Sequence, residues 1–253
     1  MNIVGSIQAR MNSSRLPGKV LKEICGKPML LWHIERLRRS RLLGDVVVAT
    51  TVNKADDVIA DLCREHHVPC YRGSENDVLH RVVSLIKEFK ADVHAEFFGD
   101  SPLTDAAIVD EVVQFYLDHQ KAYDFVSNSL KTTYPPGQEV LVYRASALLE
   151  ADQSIRKDDP LREHVSIHMT QHPDKFRLFN IEAPESYHFP DLYLEVDEPA
   201  DFELVAGIIA HFQSKGQAYF GLGDIIEFLS QYEAFAASNR NVERRWKQFR
   251  KTT

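Results

Sequence analysis

Short apolar segments alternate with helical segments along the first half of the chain, and this alternation restricts the fold more than any other feature of the sequence. Buried strands are predicted at 3–7, 45–50 and 93–98, each an apolar run as long as one strand. Between the first two, apolar residues recur at helical spacing from Met29 to Leu37, and Pro28 suits the first turn of that helix. Strands separated by such helices predict an α/β fold, a mainly parallel sheet covered on both faces.

Further segments continue the pattern. Apolar periodicity predicts helices over 54–67, 75–89 and 104–120, and a short strand over 69–73. Thr104 has the hydroxyl side chain that can cap the last of these helices. The length of 253 residues is within the range of one α/β domain, so residues 1–253 are predicted to form a single domain.

The alternation becomes irregular between about 128 and 190. The sequence TYPPGQ at 133–138 breaks the chain there, and VLVY, FRLFNI and the later LYLEV have the composition of strands. We expect 128–190 to be a small inserted region containing β-structure, which forms part of an acceptor pocket and a subunit contact. The basic residues at 236–253 predict a final helix on the surface or at a subunit contact, in which Trp246 is a packing residue.

Charge is unevenly distributed. The net charge is −7, yet residues 1–44 hold nine Lys or Arg against two Glu. A basic N-terminal segment on an acidic body favours a localised anionic ligand, whereas duplex nucleic acid calls for a broad basic face. No nucleic-acid partner is therefore predicted. The arginines at 36–41 are expected to be the solvated end of the first helix.

The sequence also bears on location. No apolar run approaches the roughly 18–20 residues needed to cross a bilayer, and the first residues lack the pattern of a secretory signal. The three cysteines, Cys25, Cys63 and Cys70, lack CxxC spacing, so neither a disulfide framework nor a zinc site is predicted. We expect a cytoplasmic protein with no membrane partner.

The loop QARMNSSRLPGK, at 8–19, directly follows the first predicted strand. It carries Arg10, Arg15 and Lys19 among small and turn-forming residues. Backbone N–H groups and cationic side chains in such a loop can surround phosphate oxygens. It is not a Walker A loop, because position 13 is Ser and Val20 follows Lys19. A solvent-exposed basic turn is the alternative, but a position after the first strand of an α/β sheet favours phosphate binding.

Two aspartates follow predicted strand ends. Asp100 comes after the strand at 93–98 and Gly99, and Asp197 comes after the LYLEV segment at 192–196. Mg²⁺ prefers one or two carboxylates together with phosphate oxygens and water. A single aspartate at either position could equally cap a following helix, so the metal site requires that the fold bring the two together.

Six motifs occur in order along the chain: IQARMNSSRLPGKVL (7–21), GKPML (26–30), GDSPLTD (99–105), TYPPG (133–137), DPLREHV (159–165) and VDEPADFELV (196–205). With these motifs the chain resembles the cytidylyltransferase family that includes spore coat polysaccharide biosynthesis protein F. That family is similar in turn to CMP-KDO synthetase and the acylneuraminate cytidylyltransferases. The first motif is highly specific, and the others are specific as an ordered set.

The resemblance implies a Rossmann-like nucleotidyltransferase fold, with a mainly parallel mixed sheet flanked by helices. It implies that CTP is bound by the first loop and the adjoining strand ends, through Gln8, Ala9, Arg10, Ser14, Arg15, Lys19 and Gly99. It further implies that Arg15, Lys19, Asp100 and Asp197 are catalytic, and that the two aspartates hold Mg²⁺. Acceptor-binding positions are implied at Tyr134, Gln138, Arg162, Glu163 and His164.

The activity implied by the resemblance is transfer of CMP from CTP to a sugar of the ulosonic-acid or related type, with release of pyrophosphate. The enzyme would be cytoplasmic and often a homodimer, and it would serve surface polysaccharide or glycan synthesis. Positioning and charge neutralisation carry such a phosphoryl transfer, so cations and carboxylate-held Mg²⁺ are the groups it requires. Arg162 can pair with a carboxylate or phosphate on the sugar, or bridge charges within its own helical turn.

Some positions depart from the family pattern. Glu96 and Phe98 stand where members more often carry Arg or Lys and Thr, which leaves recognition of the base and ribose open. Gln138, Glu139 and Leu141 stand where a Leu-Asp pair and a second acidic residue are more common, which leaves the acceptor open. The alternatives are a sugar-1-phosphate nucleotidyltransferase that uses CTP or GTP, and a non-catalytic module that binds nucleotide sugars.

Overall fold

The computed structural model describes residues 1–249. Its strands are β1 (Ile3–Gln8), β2 (Glu23–Ile24), β3 (Lys27–Pro28), β4 (Asp45–Thr51), β5 (Cys70–Gly73), β6 (Val93–Phe98), β7 (Phe125–Ser127), β8 (Leu141–Arg144) and β9 (Leu178–Asn180). Its α-helices are α1 (Met29–Leu37), α2 (Asp57–Glu65), α3 (Val78–Glu88), α4 (Ala106–His119), α5 (Ala145–Ser154), α6 (Ile167–Gln171), α7 (Pro199–Ser214), α8 (Leu222–Ser230) and α9 (Glu233–Ala236).

The main sheet has seven strands in the order β5-β4-β1-β6-β8-β7-β9. Strands β5, β4, β1 and β6 run parallel, β8 is antiparallel to both β6 and β7, and β9 is parallel to β7. Strands β2 and β3 form a separate small antiparallel pair. The predicted α/β fold with a mainly parallel mixed sheet is therefore confirmed.

Successive side chains of a buried strand point to opposite sides of the sheet, so both faces present apolar side chains. Helices cover both of these faces. On β1, Ile3 and Ile7 belong to the larger core, which includes buried residues of α1, α4, α7 and α8. Val4 of the same strand packs on the other face with Leu85 of α3. Both faces of β1 are therefore apolar, and this explains the continuous apolar run in the sequence.

The strand order reverses beside β1. The chain passes from β1 to β4 and β5 on one side and then returns to β6 on the other. The carboxyl ends of β1 and β6 are aligned, since Gln8 pairs with Phe98. A Cβ atom on Gly99 would lie 2.5 Å from the carbonyl oxygen of Gln8, so only glycine allows the chain to leave β6 so close to β1. Open α/β sheets bind ligands at this kind of reversal point.

The segment 128–190 contributes strands to the main sheet. Strands β8 and β9 lie close to the predicted positions, and together with β7 they extend the sheet beyond β6. The strand predicted at 192–196 is wrong, because these residues form an irregular segment. Two backbone hydrogen bonds hold it, from Leu194 N to Pro136 O at 2.7 Å and from Val196 N to Asp100 O at 2.8 Å. The division of the chain into domains stays a prediction.

Two predictions about helix ends are corrected. The side chain of Asp105, not Thr104, caps α4 by accepting a hydrogen bond of 2.9 Å from Ala107 N. The hydroxyl of Thr104 instead donates to Ser101 O at 2.8 Å. The final helix predicted over 236–253 is also wrong for the described residues, where α9 ends at Ala236 and a 3₁₀ turn occupies Arg245–Phe249; residues 250–253 lie outside the described residues.

Among residues 1–249, no helix has both the length and the apolar content that crossing a membrane requires.

Candidate active site

The ammonium group of Lys19 is the central contact of the site. Lys19 begins a short 3₁₀ turn, and Gly18 before it adopts a left-handed backbone with φ +67°. The Nζ atom donates to Asp100 Oδ2 at 2.9 Å, to the carbonyl oxygen of Val196 at 2.7 Å and to Asp197 Oδ1 at 3.4 Å. Three segments that are far apart in sequence therefore meet at one cation.

Lys19 is charged in this environment. Burial by itself would lower the pKa of the Lys19 ammonium, but the charges and hydrogen bonds of Asp100 and Asp197 together raise that pKa above its usual value. The side chain is 12% exposed, so water screens these interactions only weakly. The lysine is therefore a fixed positive charge at the carboxyl end of the sheet.

Arg15 supplies a second cation from the same loop. Its Nη2 atom lies 2.7 Å from Asp197 Oδ2, and its Nη1 atom donates to the carbonyl oxygen of Glu243 at 2.9 Å. Asp197 thus contacts Arg15 with one oxygen and Lys19 with the other. The first loop and the segment before α7 are joined through this one carboxylate.

The start of α7 fixes the position of Asp197. The fully buried carboxylate of Asp201 accepts hydrogen bonds at Oδ2 from the backbone N–H groups of Asp197, at 2.9 Å, and Glu198, at 2.8 Å. Such a contact satisfies free N–H groups at a helix N-terminus. Asp100 is positioned from the other side, because its carbonyl oxygen accepts the hydrogen bond from Val196 N. The structure thus brings Asp100 and Asp197 to the same ammonium group, and their role as a metal pair stays a prediction.

A cavity of about 330 Å³ opens beside these groups. Its lining includes Arg15, Asp100 and Asp197, together with Phe98, Ser101, Ser129, Glu139, Glu195 and Trp246. Burial, followed by the negative charge of Glu139, raises the pKa of Glu195 above its usual value, while a hydrogen bond from Trp246 opposes this shift. The cavity thus combines carboxyl groups, serine hydroxyls and two aromatic residues with the cation of Arg15.

The remaining predicted nucleotide residues lie around the same sheet end. Gln8 ends β1, and its Nε2 atom donates to Glu96 Oε1 at 3.2 Å. Ala9 is buried and donates its backbone N–H to Ala49 O at 3.2 Å. Arg10 and Ser14 are exposed in the first loop, which leaves their side chains accessible to a ligand.

Two predicted acceptor residues are buried beneath the site and do not line the cavity. The amide of Gln138 is fully buried, accepts a hydrogen bond from Asp105 N at 2.9 Å and donates one to Leu103 O at 2.8 Å. Tyr134 is also buried, and its hydroxyl donates to Glu111 Oε2 at 3.4 Å. Both side chains therefore hold the loop after β6 and helix α4, and they have no free polar group directed to a sugar in the cavity.

The second group of predicted acceptor residues lies elsewhere. Arg162 is buried, with Nε 2.8 Å from Asp77 Oδ2 at the start of α3 and Nη2 paired with Asp152 of α5. Both carboxylates belong to other elements, so Arg162 does not bridge charges within its own turn. Arg162 also does not line the cavity. Glu163 and His164 are exposed and do not line the cavity either.

Sequence reasoning missed four residues of the cavity wall, Ser101, Ser129, Glu195 and Trp246. Glu195 is two residues before Asp197, so its closeness to the site could have been inferred from the motif. Trp246 was expected only to pack, and no signal in the sequence connects it with residues about 230 positions earlier. Its Nε1 atom donates to Glu195 Oε1 at 2.6 Å, and its ring lines the cavity.

The chain is similar to known proteins over most of its length. The sequence model of the family described as cytidylyltransferase matches residues 4–221. The chain belongs to the cytidylyltransferase family. Spore coat polysaccharide biosynthesis protein SpsF of Bacillus subtilis is a relative with 30% identity, over 85% of this chain and 88% of its own length. The resemblance drawn from the ordered motifs is therefore confirmed.

Solved structures share the family's fold. A cytidylyltransferase from Leptospira borgpetersenii matches with a TM-score of 0.87 at 30% identity, covering 96% of this chain and 100% of that one. CMP:2-keto-3-deoxy-manno-octonic acid synthetase, solved in complex with CTP, matches with a TM-score of 0.61 at 21% identity, covering 83% and 99% of the two chains. The second likeness is one of fold, and the predicted Rossmann-like nucleotidyltransferase fold is confirmed.

Proposed function

We propose that this cytidylyltransferase-family protein uses CTP to activate a sugar of the ulosonic-acid or related type, forming a CMP-sugar and releasing pyrophosphate for surface polysaccharide or glycan synthesis. The observation that carries the proposal is the convergence of Lys19, Asp100 and Asp197, with Arg15 on the same carboxylate. Family membership supports the cytidylyl group, and the complex of CMP:2-keto-3-deoxy-manno-octonic acid synthetase with CTP supports the nucleotide.

In the proposed reaction, a sugar hydroxyl oxygen forms a bond to the α-phosphorus of CTP. The bond from that phosphorus to the oxygen bridging the β-phosphate breaks, pyrophosphate leaves with that oxygen, and the hydroxyl proton passes to solvent water. Arg15 and Lys19 offset the negative charge that builds on the phosphates, while the exposed loop residues Arg10 and Ser14 contact the bound nucleotide. Catalysis of this kind rests on positioning and on fixed charges.

The acidic residues of the site fit a magnesium ion that arrives with the nucleotide. Asp100 and Asp197 both contact the ammonium group of Lys19, so the fold brings the two carboxylates together, and Mg²⁺ is commonly held by one or two carboxylates, substrate phosphates and water. No cluster of three or more His, Cys, Asp or Glu side chains with metal-binding geometry occurs in the described part of the chain, so Mg²⁺ would take its remaining ligands from phosphate oxygens and water. When bound, Mg²⁺ would neutralise phosphate charge during transfer.

Nucleotide choice can be tested by thermal unfolding with Mg²⁺ and each of the four nucleoside triphosphates. A specific ligand at about 100 times its dissociation constant adds about 2.7 kcal/mol to the free energy of unfolding. We expect this stabilisation with CTP. Stabilisation by GTP instead would favour the alternative nucleotide, and the absence of stabilisation by every nucleotide would contradict the proposal.

Catalysis can be tested by measuring pyrophosphate release with the preferred nucleotide, Mg²⁺ and a panel of ulosonic acids and sugar-1-phosphates. Release with an ulosonic acid supports the proposal, whereas release only with a sugar-1-phosphate supports the alternative acceptor class. Asp100→Asn should abolish release, and the exposed Asp174→Asn serves as its matched control. Nucleotide binding without release from any sugar would indicate a binding module. The predicted homodimer can be checked by light scattering.

A further inference from the structure

The C-terminal segment, residues 239–247, folds back onto the candidate active site. The family match ends at residue 221, so this segment lies beyond it. Its Asn239 and Arg244 are buried within the chain, whereas the segment was expected on the surface or at a subunit contact. The ring of Trp246 lines the cavity that also contacts Arg15, Asp100 and Asp197.

Asp201 connects this segment to a proposed metal-binding residue. Its Oδ2 atom holds the backbone of Asp197, as described above, and its Oδ1 atom accepts from Asn239 Nδ2 at 2.7 Å and Arg244 Nη2 at 2.7 Å. Arg244 also lies with its guanidinium carbon 4.2 Å from the centre of the Tyr193 ring. A buried carboxylate with all its contacts satisfied holds its partners in one geometry. The segment is therefore firmly attached to the start of α7.

A second connection joins the segment to the first loop. The carbonyl oxygen of Glu243 accepts from Arg15 Nη1 at 2.9 Å, while Arg15 Nη2 contacts Asp197. A third connection is the hydrogen bond of 2.6 Å that Trp246 Nε1 donates to Glu195 Oε1. Glu195 is buried, with 8% of its surface exposed. This hydrogen bond restricts rotation of the indole, so Trp246 is held in one orientation at the cavity.

The cavity lining beyond Arg15, Asp100 and Asp197 has the chemistry of a sugar site. Phe98 and Trp246 can offer aromatic surface to the C–H groups of a sugar, and Glu139, Glu195 and Ser129, with their carboxyl and hydroxyl groups, line the same cavity. Ligand sites typically combine an apolar wall with a few polar groups that fix orientation. A molecule bound there would lie directly beside Asp100 and Asp197.

We infer that Trp246 binds the acceptor sugar and that the C-terminal segment beyond the family match thereby completes the acceptor site. The inference rests on the proposed function, because it assigns the cavity to the polyhydroxylated acceptor of that reaction. The indole packs against the sugar, and Glu195 orients the indole. Trp246 thus acts as a substrate-binding residue and takes no part in proton transfer.

The kinetic test compares the wild type with Trp246→Phe and Trp246→Ala, using CTP and whichever panel sugar gives the fastest pyrophosphate release. We expect Trp246→Ala to raise the KM for the sugar about tenfold, as for loss of one aromatic contact, and Trp246→Phe to raise it less. The KM for CTP should stay within about twofold of the wild type. An unchanged KM for the sugar, or an equal rise in the KM for CTP, would overturn the inference.

A binding test does not depend on turnover. The chain has two tryptophans, so Trp32→Phe leaves Trp246 as the sole indole. Trp32 is buried in the core, with its Nε1 donating to Ile24 O at 3.0 Å, and is outside the site. In Trp32→Phe, panel sugars added with CMP should change the tryptophan emission, and in Trp246→Phe they should not.

The two tests also separate failure of the inference from failure of the proposed function. If the wild type releases no pyrophosphate with any sugar, the proposed function fails, but an emission change in Trp32→Phe with a panel sugar would still place a sugar against Trp246. If release occurs and neither the emission nor the sugar KM responds to Trp246, the inference fails and the function stands. Circular dichroism of each variant checks that it is folded.

Discussion

Lys19 Nζ lies 2.9 Å from Asp100 Oδ2, although the two residues are 81 positions apart in the chain. The contact exists because β1 and β6 are neighbours in the sheet and both end at the same edge. Lys19 is little exposed, and Asp197 approaches the same ammonium. The fold therefore holds a cation between two carboxylates at the place where an α/β sheet binds its ligand.

Replacing this cation should impair catalysis more than folding. Lys19→Met keeps the length of the side chain but removes its charge, and we expect kcat/KM for pyrophosphate release to fall about 10²–10³-fold, as when one fixed donor to developing charge is lost. Lys27→Met is the matched control, since Lys27 pairs with the half-exposed Glu35 away from the site. Equal activity of the two variants would show that Lys19 does not contact the reacting phosphates.

The proposed metal site predicts a separate binding defect. Asp197→Asn removes one charge from the pair of carboxylates. Loss of a group that only hydrogen-bonds a metal ligand commonly lowers metal affinity about 10–100-fold, so we expect loss of a direct ligand to lower the Mg²⁺ affinity in the presence of CTP by at least this much. Isothermal titration with Mg²⁺ measures this directly. Asp174→Asn changes the same functional group at an exposed position and should bind Mg²⁺ like the wild type. A normal affinity in Asp197→Asn would remove Asp197 from the metal site.

The parts of the site that follow strand ends could be predicted from the sequence. Apolar runs mark β1 and β6, and parallel neighbours end at one edge, so the loop carrying Lys19 and the turn carrying Asp100 had to be close. The ordered motifs assigned Asp197 to the same site, although the segment before Asp197 is irregular and not a strand. Local periodicity and topology are thus sufficient where regular elements position the residue.

Polar residues that are buried by distant partners could not be predicted. Arg36 was expected at a solvated helix end, but it is buried and donates to the carbonyl oxygens of Leu103, Thr104 and Phe220. Arg162 and Gln138 are buried in the same way by partners from other segments. A single sequence contains no local signal for such contacts, because the satisfying carbonyl or carboxylate is set by tertiary packing.

One such buried residue predicts a pH-dependent stability at the sheet edge. Asp124 accepts from the Nε and Nη2 atoms of Arg177 at 3.0 Å each and from Arg144 Nε at 3.0 Å. Hydrogen bonds from Arg177 first, and then from Arg144, hold the pKa of Asp124 well below its usual value. The stabilisation by the ionised carboxylate is therefore complete above the unfolded pKa of about 3.9 and is lost as the pH falls through the folded value.

Asp124→Asn should lower the free energy of unfolding by about 1–3 kcal/mol at pH 7, since Arg177 loses its carboxylate partner and Arg144 keeps only Glu150. In urea unfolding, the difference from the wild type should shrink as the pH falls below about 4. Asp158→Asn breaks another aspartate–arginine pair, but both of its side chains are exposed, so we expect a change of under about 1 kcal/mol. A constant difference between pH 7 and pH 3 would contradict the assignment of the effect to ionised Asp124.

A second titratable group is buried under the site on the α3 face of the sheet. Glu96 accepts from Tyr143 Oη at 3.1 Å and from Gln8 Nε2, and Tyr143 Oη also contacts His94 Nδ1 at 2.8 Å. Burial raises the pKa of Glu96 to about 7, although hydrogen bonds from Ser166, Tyr143 and Gln8 favour the ionised form. Glu96 therefore holds its proton in the folded protein across a range in which the unfolded chain has lost it.

As the pH rises from about 4.5 to 7, we therefore expect the free energy of unfolding of the wild type to fall relative to that of Glu96→Gln. The total change in this difference should be on the order of 3 kcal/mol. The unfolded carboxyl ionises first in this range, so raising the pH favours unfolding, and the effect levels off once the folded group has also ionised. Burial likewise lowers the pKa of His94 to about 3, which destabilises the fold at acid pH, but both proteins share this contribution. Urea unfolding of the two proteins at pH 5, 6, 7 and 8 isolates Glu96, because Gln does not titrate. Parallel stability curves would mean that Glu96 is already ionised at pH 5, and its contact with Gln8 would then carry a full negative charge beside the proposed nucleotide site.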